Sequence, residues 1–165
     1  MDAWMESNSD SDAAISVLHQ DALGLSAGRM AALNHAQGEW VAITDINVRP
    51  EQDWIEQLLL ANVPVGEETI VAVTGRTIFQ THTDLVSRFR AVEIASKYRS
   101  RPRRTSLANG PCSMFKRQAL LDVGGFDPEW YHAEDMEVSL RLLNAGGSIV
   151  YAPDALVAHV PEVGV

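Results

Sequence analysis

Apolar and polar positions along the chain predict short strands that alternate with amphipathic helices. Short apolar runs, together with one extended segment, predict strands over residues 14–19, 40–44, 69–74, 111–115 and 148–152. Apolar residues at helical spacing predict helices that begin at Ser26 and at Pro50, and further helices over 83–98, 118–123 and 134–144. Gly75 is predicted to end the third strand. This alternation indicates an α/β sandwich with a mostly parallel sheet, in which ligands gather at the carboxyl ends of strands.

The composition is that of a folded protein, and the net charge disfavours one class of binding partner. Its 165 residues are 46% hydrophobic and 21% charged, which is enough for one domain with a core, and we assign residues 1–165 to a single domain. The formal charge of −9 argues against nucleic acid as a partner, and an acidic protein that handles phosphates needs a metal or a local basic patch.

Cysteine content and hydropathy indicate where in the cell the protein is located. Cys112 is the sole cysteine, which fits a reducing compartment. No run approaches the roughly 18 apolar residues that span a bilayer, and the first residues lack the pattern of a secretory signal. We therefore expect a cytoplasmic protein, with membrane association left open.

A first group of candidate ligands follows the strand at 40–44. Asp45 and Asn47 are separated by Ile46, and in an extended segment residues i and i+2 point the same way. Their two oxygens could bind one hard cation such as Mg²⁺ or Mn²⁺. Since Asp and Asn are also common in turns, the short motif taken alone favours a turn at the end of a strand.

A second group precedes and opens the helix at Ser26. Gly24 and Gly28 would let the backbone approach an anion, and the helix N-terminus favours negative charge. Arg29 could add a charge-assisted contact to a phosphate. A capped loop with a surface arginine explains the same residues, so both interpretations stay open.

A third group lies near the C-terminus. Glu134 and Asp135 fall in the first turn of a helix, where carboxylates interact favourably with the macrodipole. Adjacent helical residues point about 100° apart, so one carboxylate could be structural while the other takes a proton from a hydroxyl group. His159 follows an apolar segment and is either a structural histidine or a metal ligand.

The order of these motifs resembles the family 2 glycosyltransferases of the GT-A fold, from about Gly24 to His159. The matching segments are Gly24–Arg29, Ala36–Asp45, Asn109–Arg117, Gly124-Gly125-Phe126-Asp127, Glu134-Asp135, Leu140-Arg141-Leu142, Tyr151-Ala152-Pro153 and His159. The resemblance implies transfer of a sugar from a nucleotide-diphospho-sugar to an acceptor hydroxyl of a glycan, a lipid-linked molecule or another compound, as in polysaccharide biosynthesis. It implies a divalent cation, Mn²⁺ or Mg²⁺, and peripheral contact with a membrane is left open.

The resemblance also implies a role for each candidate. Asp135 would be the general base of an inverting reaction, and Glu134 would shape the acceptor side. Gly28, Arg29 and Asp45 would lie against the donor. The metal ligands would be Asp45, Asn47 and His159.

The chain departs from the family pattern in two places. Asn47 stands where the family usually has an aspartate, and an amide oxygen is a weaker ligand than a carboxylate. The family's first strand–helix unit has no counterpart here, so we expect a GT-A-like domain that is truncated at its N-terminus. A non-catalytic binding or scaffold domain of the same fold is the alternative hypothesis. A sugar nucleotidyltransferase is a third, less favoured because we find no glycine-rich loop with an arginine near the N-terminus.

Overall fold

The computed structural model describes residues 15–79, 85–130 and 132–160. These residues form five α-helices, a 3₁₀ turn at Gly110–Cys112 and a six-stranded sheet. The helices are α1 Leu25–His35, α2 Trp54–Ala61, α3 Leu85–Arg99, α4 Arg117–Asp122 and α5 Glu134–Asn144. The strands are β1 Trp40–Ile43, β2 Val48–Pro50, β3 Ile70–Phe79, β4 Arg104–Thr105, β5 Ser113–Lys116 and β6 Ser148–His159.

The sheet is mixed, so the prediction of a mostly parallel sheet is wrong. Its order is β1-β5-β3-β6-β2, with β4 paired to β6, and of these pairs β3–β6 is parallel and the others are antiparallel. Because β5 runs against both β1 and β3, strands β1, β3 and β6 all point the same way. Their carboxyl ends therefore meet at one edge of the sheet, where β2 and β5 begin.

Hydrophobic residues on the two faces of the sheet form two cores. Alternate residues of a strand face opposite sides, so Phe115 and Ile149 join one core while Met114 and Val150 join the other. The first core contains residues of α1, α4 and α5, and the second contains residues of α2. The layered α/β architecture expected from the sequence is confirmed.

Two predicted boundaries are wrong because proline and glycine act differently here. Pro50 does not begin a helix; it ends the edge strand β2, where a missing N–H is tolerated, and α2 begins at Trp54. Gly75 does not end β3, which continues to Phe79. A Cβ at Gly75 would lie 2.3 Å from the Ala155 carbonyl oxygen and 2.5 Å from Cys112 Sγ. Glycine therefore allows close packing inside the strand.

Other local predictions also need correction. Residues 15–19 form no strand, and residue 14 lies outside the described residues. Ser26 is inside α1, whose N-cap is Gly24, and its hydroxyl donates to the Trp130 carbonyl at 2.9 Å. Phe89 and Val92 belong to the apolar pattern that predicted the helix over 83–98, but in α3 both are mostly exposed.

The Gly124-Gly125 pair is explained by a turn and a close approach. Both residues have positive φ, 91° and 69°, just after α4. A Cβ at Gly125 would lie 2.3 Å from Met30 Sδ, so this position lets α1 pack directly on the turn. The next residue, Phe126, is then buried against Phe115 in an edge-to-face contact.

Candidate active site

The candidate site lies at the sheet edge where β1, β3 and β6 end. Asp45 follows β1 by two residues, and Asn47 immediately precedes β2. The pairing of Val48 with His159 brings the end of β6 beside this turn. Ile46, between the two polar residues, is fully exposed. The candidate ligands Asp45, Asn47 and His159 therefore lie at the same edge of the sheet.

Arg29 joins two candidate groups that are far apart in sequence. Its Nη2 donates to Asp45 Oδ1 at 3.0 Å, and its Nη1 forms a short ion pair with Glu134 Oε1. The arginine is buried in α1, and its Cζ lies 5.8 Å from the centroid of the Phe126 ring. The loop after β1 is thereby bonded to the first turn of α5.

Gly110 provides a contact that the sequence analysis did not identify. Its backbone N–H donates to Asp135 Oδ2 at 3.1 Å, and the Met136 N–H donates to Asp135 Oδ1 at 2.8 Å. A Cβ at Gly110 would lie 3.0 Å from Arg29 Nη2, so only glycine fits without moving the arginine. The small-residue segment before β5 was visible in the sequence, but its proximity to α5 was not.

Asn109 and Ala133 fix the two backbone segments that hold Asp135: the segment that contains Gly110 and the start of α5. The Asn109 amide donates to Thr77 Oγ1 at 2.8 Å and to the Tyr98 hydroxyl at 3.1 Å, which anchors the residue before Gly110. Ala133, the residue before α5, is left-handed with φ 58°, a conformation that costs a non-glycine residue energy. Its carbonyl accepts hydrogen bonds from Met136 and Glu137 N–H. The half-buried Asp135 is therefore held from both sides.

Asn47 and His159 are direct neighbours. Asn47 Nδ2 lies 3.0 Å from His159 Nε2, and the His159 ring stacks on Phe79 with 5.1 Å between centroids. The Val160 N–H donates to the Asn47 carbonyl at 2.8 Å, which fixes the strand end against the turn. The structure thus pairs Asn47 with His159, and it pairs Asp45 with Arg29.

Asp45, Asn47 and His159 are the candidate ligands of a cation. A carboxylate, an amide and a neutral imidazole offer two oxygens and one nitrogen, a set that suits Mn²⁺ or Mg²⁺ when further oxygens come from water or phosphate. The described residues contain no group of three or more His, Cys, Asp or Glu side chains that could hold a metal ion. The set therefore fits a cation only as a partial site that a phosphate-bearing ligand completes.

A cavity of about 460 Å³ opens beside Asp45. Gly28 and Arg29 of α1 form part of its wall, and Thr44, Asp45 and Phe126 form another part. Its volume falls in the range of about 300–1,000 Å³ that is usual for small-molecule sites. All three residues expected against the donor, Gly28, Arg29 and Asp45, therefore line one cavity.

The fold is that of the GT-A glycosyltransferases. Residues 2–163 match the sequence model described as "Glycosyltransferase like family 2", and the chain belongs to that family. Among the described residues, no helix has the length and apolar character needed to cross a membrane.

Known proteins support the assignment at two levels. The chain is 31% identical over 153 residues to the pre-mycofactocin glycosyltransferase of two strains of Mycobacterium tuberculosis; the match covers 88% of the chain but 32% of the relative. The chain thus spans about a third of the length of these relatives.

Two solved structures share the fold. One is the mannosyltransferase PcManGT from Pyrobaculum calidifontis in complex with GDP-Man and Mn²⁺, with a TM-score of 0.68, 24% identity, and coverage of 99% of this chain and 44% of that one. The other is GalNAc-T7 with UDP, GalNAc and Mn²⁺, with a TM-score of 0.61, 16% identity, and coverage of 87% and 31%.

Proposed function

We propose that this chain transfers a sugar from a nucleotide-diphospho-sugar to an acceptor hydroxyl, with a divalent cation and with inversion at the sugar. The observation that carries the proposal is Arg29, which bonds Asp45 of the donor cavity to Glu134, the residue beside Asp135. Family membership supports it, as do the GDP-Man, UDP and Mn²⁺ named for the two structural neighbours. The acceptor would be a glycan, a lipid-linked molecule or another hydroxyl compound.

Donor binding is assigned to the cavity beside Asp45. The diphosphate would lie near Gly28 and Arg29, where glycine lets the backbone approach and the arginine supplies positive charge. Since Arg29 already bonds Asp45, a phosphate would share or replace that bond.

Asp45, Asn47 and His159 are the residues that would hold Mn²⁺ or Mg²⁺. The bound cation would act as a Lewis acid that stabilises charge on the leaving nucleoside diphosphate. The 3.0 Å contact between Asn47 Nδ2 and His159 Nε2 supports the pairing of these two groups, and a bound cation would replace that contact. Asp45 uses Oδ1 for Arg29, and its other oxygen would serve as the carboxylate ligand.

Asp135 is assigned as the general base. The acceptor oxygen would attack the anomeric carbon and form the new glycosidic bond, while the bond to the diphosphate oxygen breaks and nucleoside diphosphate leaves. The acceptor's proton would pass to Asp135, whose carboxylate is oriented by the N–H groups of Gly110 and Met136. Glu134, bonded to Arg29, would form the adjacent acceptor wall.

The test is calorimetric titration of the chain with a panel of UDP- and GDP-sugars, with and without Mn²⁺. We expect binding that depends on Mn²⁺ and that Asp45→Asn weakens at least about tenfold, because the cation loses its charged ligand. Asp122→Asn makes the same change at an exposed site of α4 and should bind as the parent does. Failure of every donor to bind the parent chain would refute the donor-site assignment.

Catalysis is tested separately with Asp135→Asn. We expect unchanged donor binding and a fall in sugar transfer or donor hydrolysis of about 10²–10⁴-fold, the usual contribution of a general base. Unaltered turnover would exclude Asp135 as the base.

A non-catalytic donor-binding domain is the second candidate function. It is favoured by the neutral Asn47 and by the engagement of Asp45 with Arg29, which together leave little negative charge for a cation. Donor binding with no turnover by the parent chain, in the presence of Mn²⁺ and varied acceptors, would favour this candidate.

A further inference from the structure

A second cavity, of about 630 Å³, lies among the ends of α2 and α3 and strand β6. It shares no lining residue with the cavity beside Asp45. One wall consists of Leu60, Val63 and Val65, which expose 62%, 62% and 67% of their surface. A contiguous exposed apolar wall of this kind is costly unless a ligand or partner covers it.

Another part of the cavity wall is strongly basic in a chain of net charge −9. Arg76, Arg99 and Arg101 line it, and among the described residues none of these three forms an ion pair with a carboxylate. The fourth arginine, Arg103, is neutralised by Glu68, with Nη1 to Oε2 at 2.8 Å. Three positive charges therefore face the cavity without a compensating acid in the described structure.

Two tyrosines hold Arg101 in place. Its Cζ lies 5.9 Å from the Tyr98 ring centroid and 5.2 Å from that of Tyr151, and its Nε donates to Thr105 Oγ1 at 2.9 Å. This arginine is fixed by cation–π contacts and hydrogen bonds, so its charge is part of the cavity wall.

Arg76 has bonding capacity that the protein does not use. Its Nε is buried and has no hydrogen-bond partner among the described residues. A buried donor without a partner is costly, and a ligand oxygen that accepts a hydrogen bond from Arg76 Nε would relieve that cost.

We propose that this cavity binds a phosphate-bearing amphiphile, with the phosphate against Arg76 and Arg99 and the apolar part along Leu60, Val63 and Val65. Arginine suits phosphate because its planar fork donates two parallel hydrogen bonds. Phosphate alone would leave the apolar wall exposed, and a neutral apolar molecule would leave the arginines unpaired. The proposal does not depend on sugar transfer, since the two cavities are separate.

The experiment compares three probes by calorimetric titration in EDTA, so that no metal recruits phosphate elsewhere. The probes are n-octyl phosphate, inorganic phosphate and n-octyl glucoside. We expect octyl phosphate to bind at least about tenfold more tightly than either of the others, because it alone uses both walls. Equal affinity for octyl phosphate and inorganic phosphate, or for octyl phosphate and octyl glucoside, overturns the proposal.

Variants locate the site. Arg76→Gln should weaken octyl phosphate binding about tenfold. Arg99→Gln changes an exposed side chain, and it should also weaken binding. Arg49→Gln removes the same charge at an exposed position of β2 outside the cavity and should bind as the parent does. Parent-like binding by Arg99→Gln and a folded Arg76→Gln, or equal weakening by Arg49→Gln, overturns the assignment to this cavity.

Discussion

Replacing Arg29 by methionine removes the group that bonds the loop after β1 to the start of α5. Methionine keeps apolar contact with Phe126 but removes the charge that faces Glu134 and Asp45. The side chains of Arg29 and Glu134 are 8% and 10% exposed, whereas that of Asp45 is 30% exposed. Most of the loss should therefore come from leaving the buried Glu134 carboxylate without a partner.

The magnitude follows from this burial. Breaking a buried ion pair from one side costs about 3–5 kcal/mol, and we expect about 3 kcal/mol for Arg29→Met because the Asp45 bond is screened by solvent. Glu134→Gln should cost about 2 kcal/mol, and the double variant about 3 kcal/mol, because no unpaired charge then remains at Glu134. The coupling energy between the two residues should be about 2 kcal/mol.

The assay is urea unfolding at pH 7 of the parent, both single variants and the double variant, followed by circular dichroism. The matched control is the same cycle on the Lys97–Glu93 pair, whose atoms lie 3.0 Å apart on the exposed surface of α3. That pair should couple by about 0.5 kcal/mol or less. If the Arg29–Glu134 coupling is no larger than the control, the reasoning from burial is wrong.

Three further predictions concern other positions. Gly110→Ala should lower the free energy of unfolding by about 1 kcal/mol, because its Cβ would lie 3.0 Å from Arg29 Nη2; parent-like stability in urea would contradict this. Burial raises the pKa of the Cys112 thiol to about 11, so little of the reactive thiolate is present at pH 8. Iodoacetamide should therefore label the native chain at least about 100-fold more slowly than the unfolded chain at that pH. Comparable labelling rates would refute this prediction. The hydrogen bond from Arg103 lowers the pKa of Glu68 in the folded chain. The ionised Glu68 therefore stabilises the fold at pH values above the pKa of the unfolded state, and this stabilisation is lost as the pH falls through the folded-state pKa. Glu68→Gln should therefore destabilise the chain by up to about 1 kcal/mol at pH 7, a difference that shrinks toward pH 3 in urea titrations; a difference independent of pH would count against the ion pair.

The sequence determined those helices and strands whose hydrophobic pattern depends on neighbouring residues alone. The amphipathic repeat that ends at Gly146-Gly147 predicted 134–144, and the structure places α5 at Glu134–Asn144. Strand β1 was predicted one residue too long, because an apolar run marks a buried strand but not the point at which pairing stops.

Strand direction and the roles of Pro50 and Gly75 were decided by tertiary structure. A pattern of alternating strands and helices does not specify the direction in which each strand joins the sheet. It therefore could not predict that β5 runs antiparallel between β1 and β3. Proline and glycine read as boundaries in sequence, yet one ends an edge strand and the other admits Ala155 and Cys112.

For the site, too, the sequence determined some features and the tertiary structure decided others. Residue type and motif order picked out Asp45, Asn47, Asp135 and His159, because oxygen and nitrogen ligands and a helix-start carboxylate carry recognisable chemistry. Only folding could show that Arg29 bonds both Asp45 and Glu134, since the arginine and Glu134 are 105 positions apart and the bond depends on how α1 packs against α5. Sequence thus supplied the chemical groups and the family, and the packing of the sheet edge decided which groups meet.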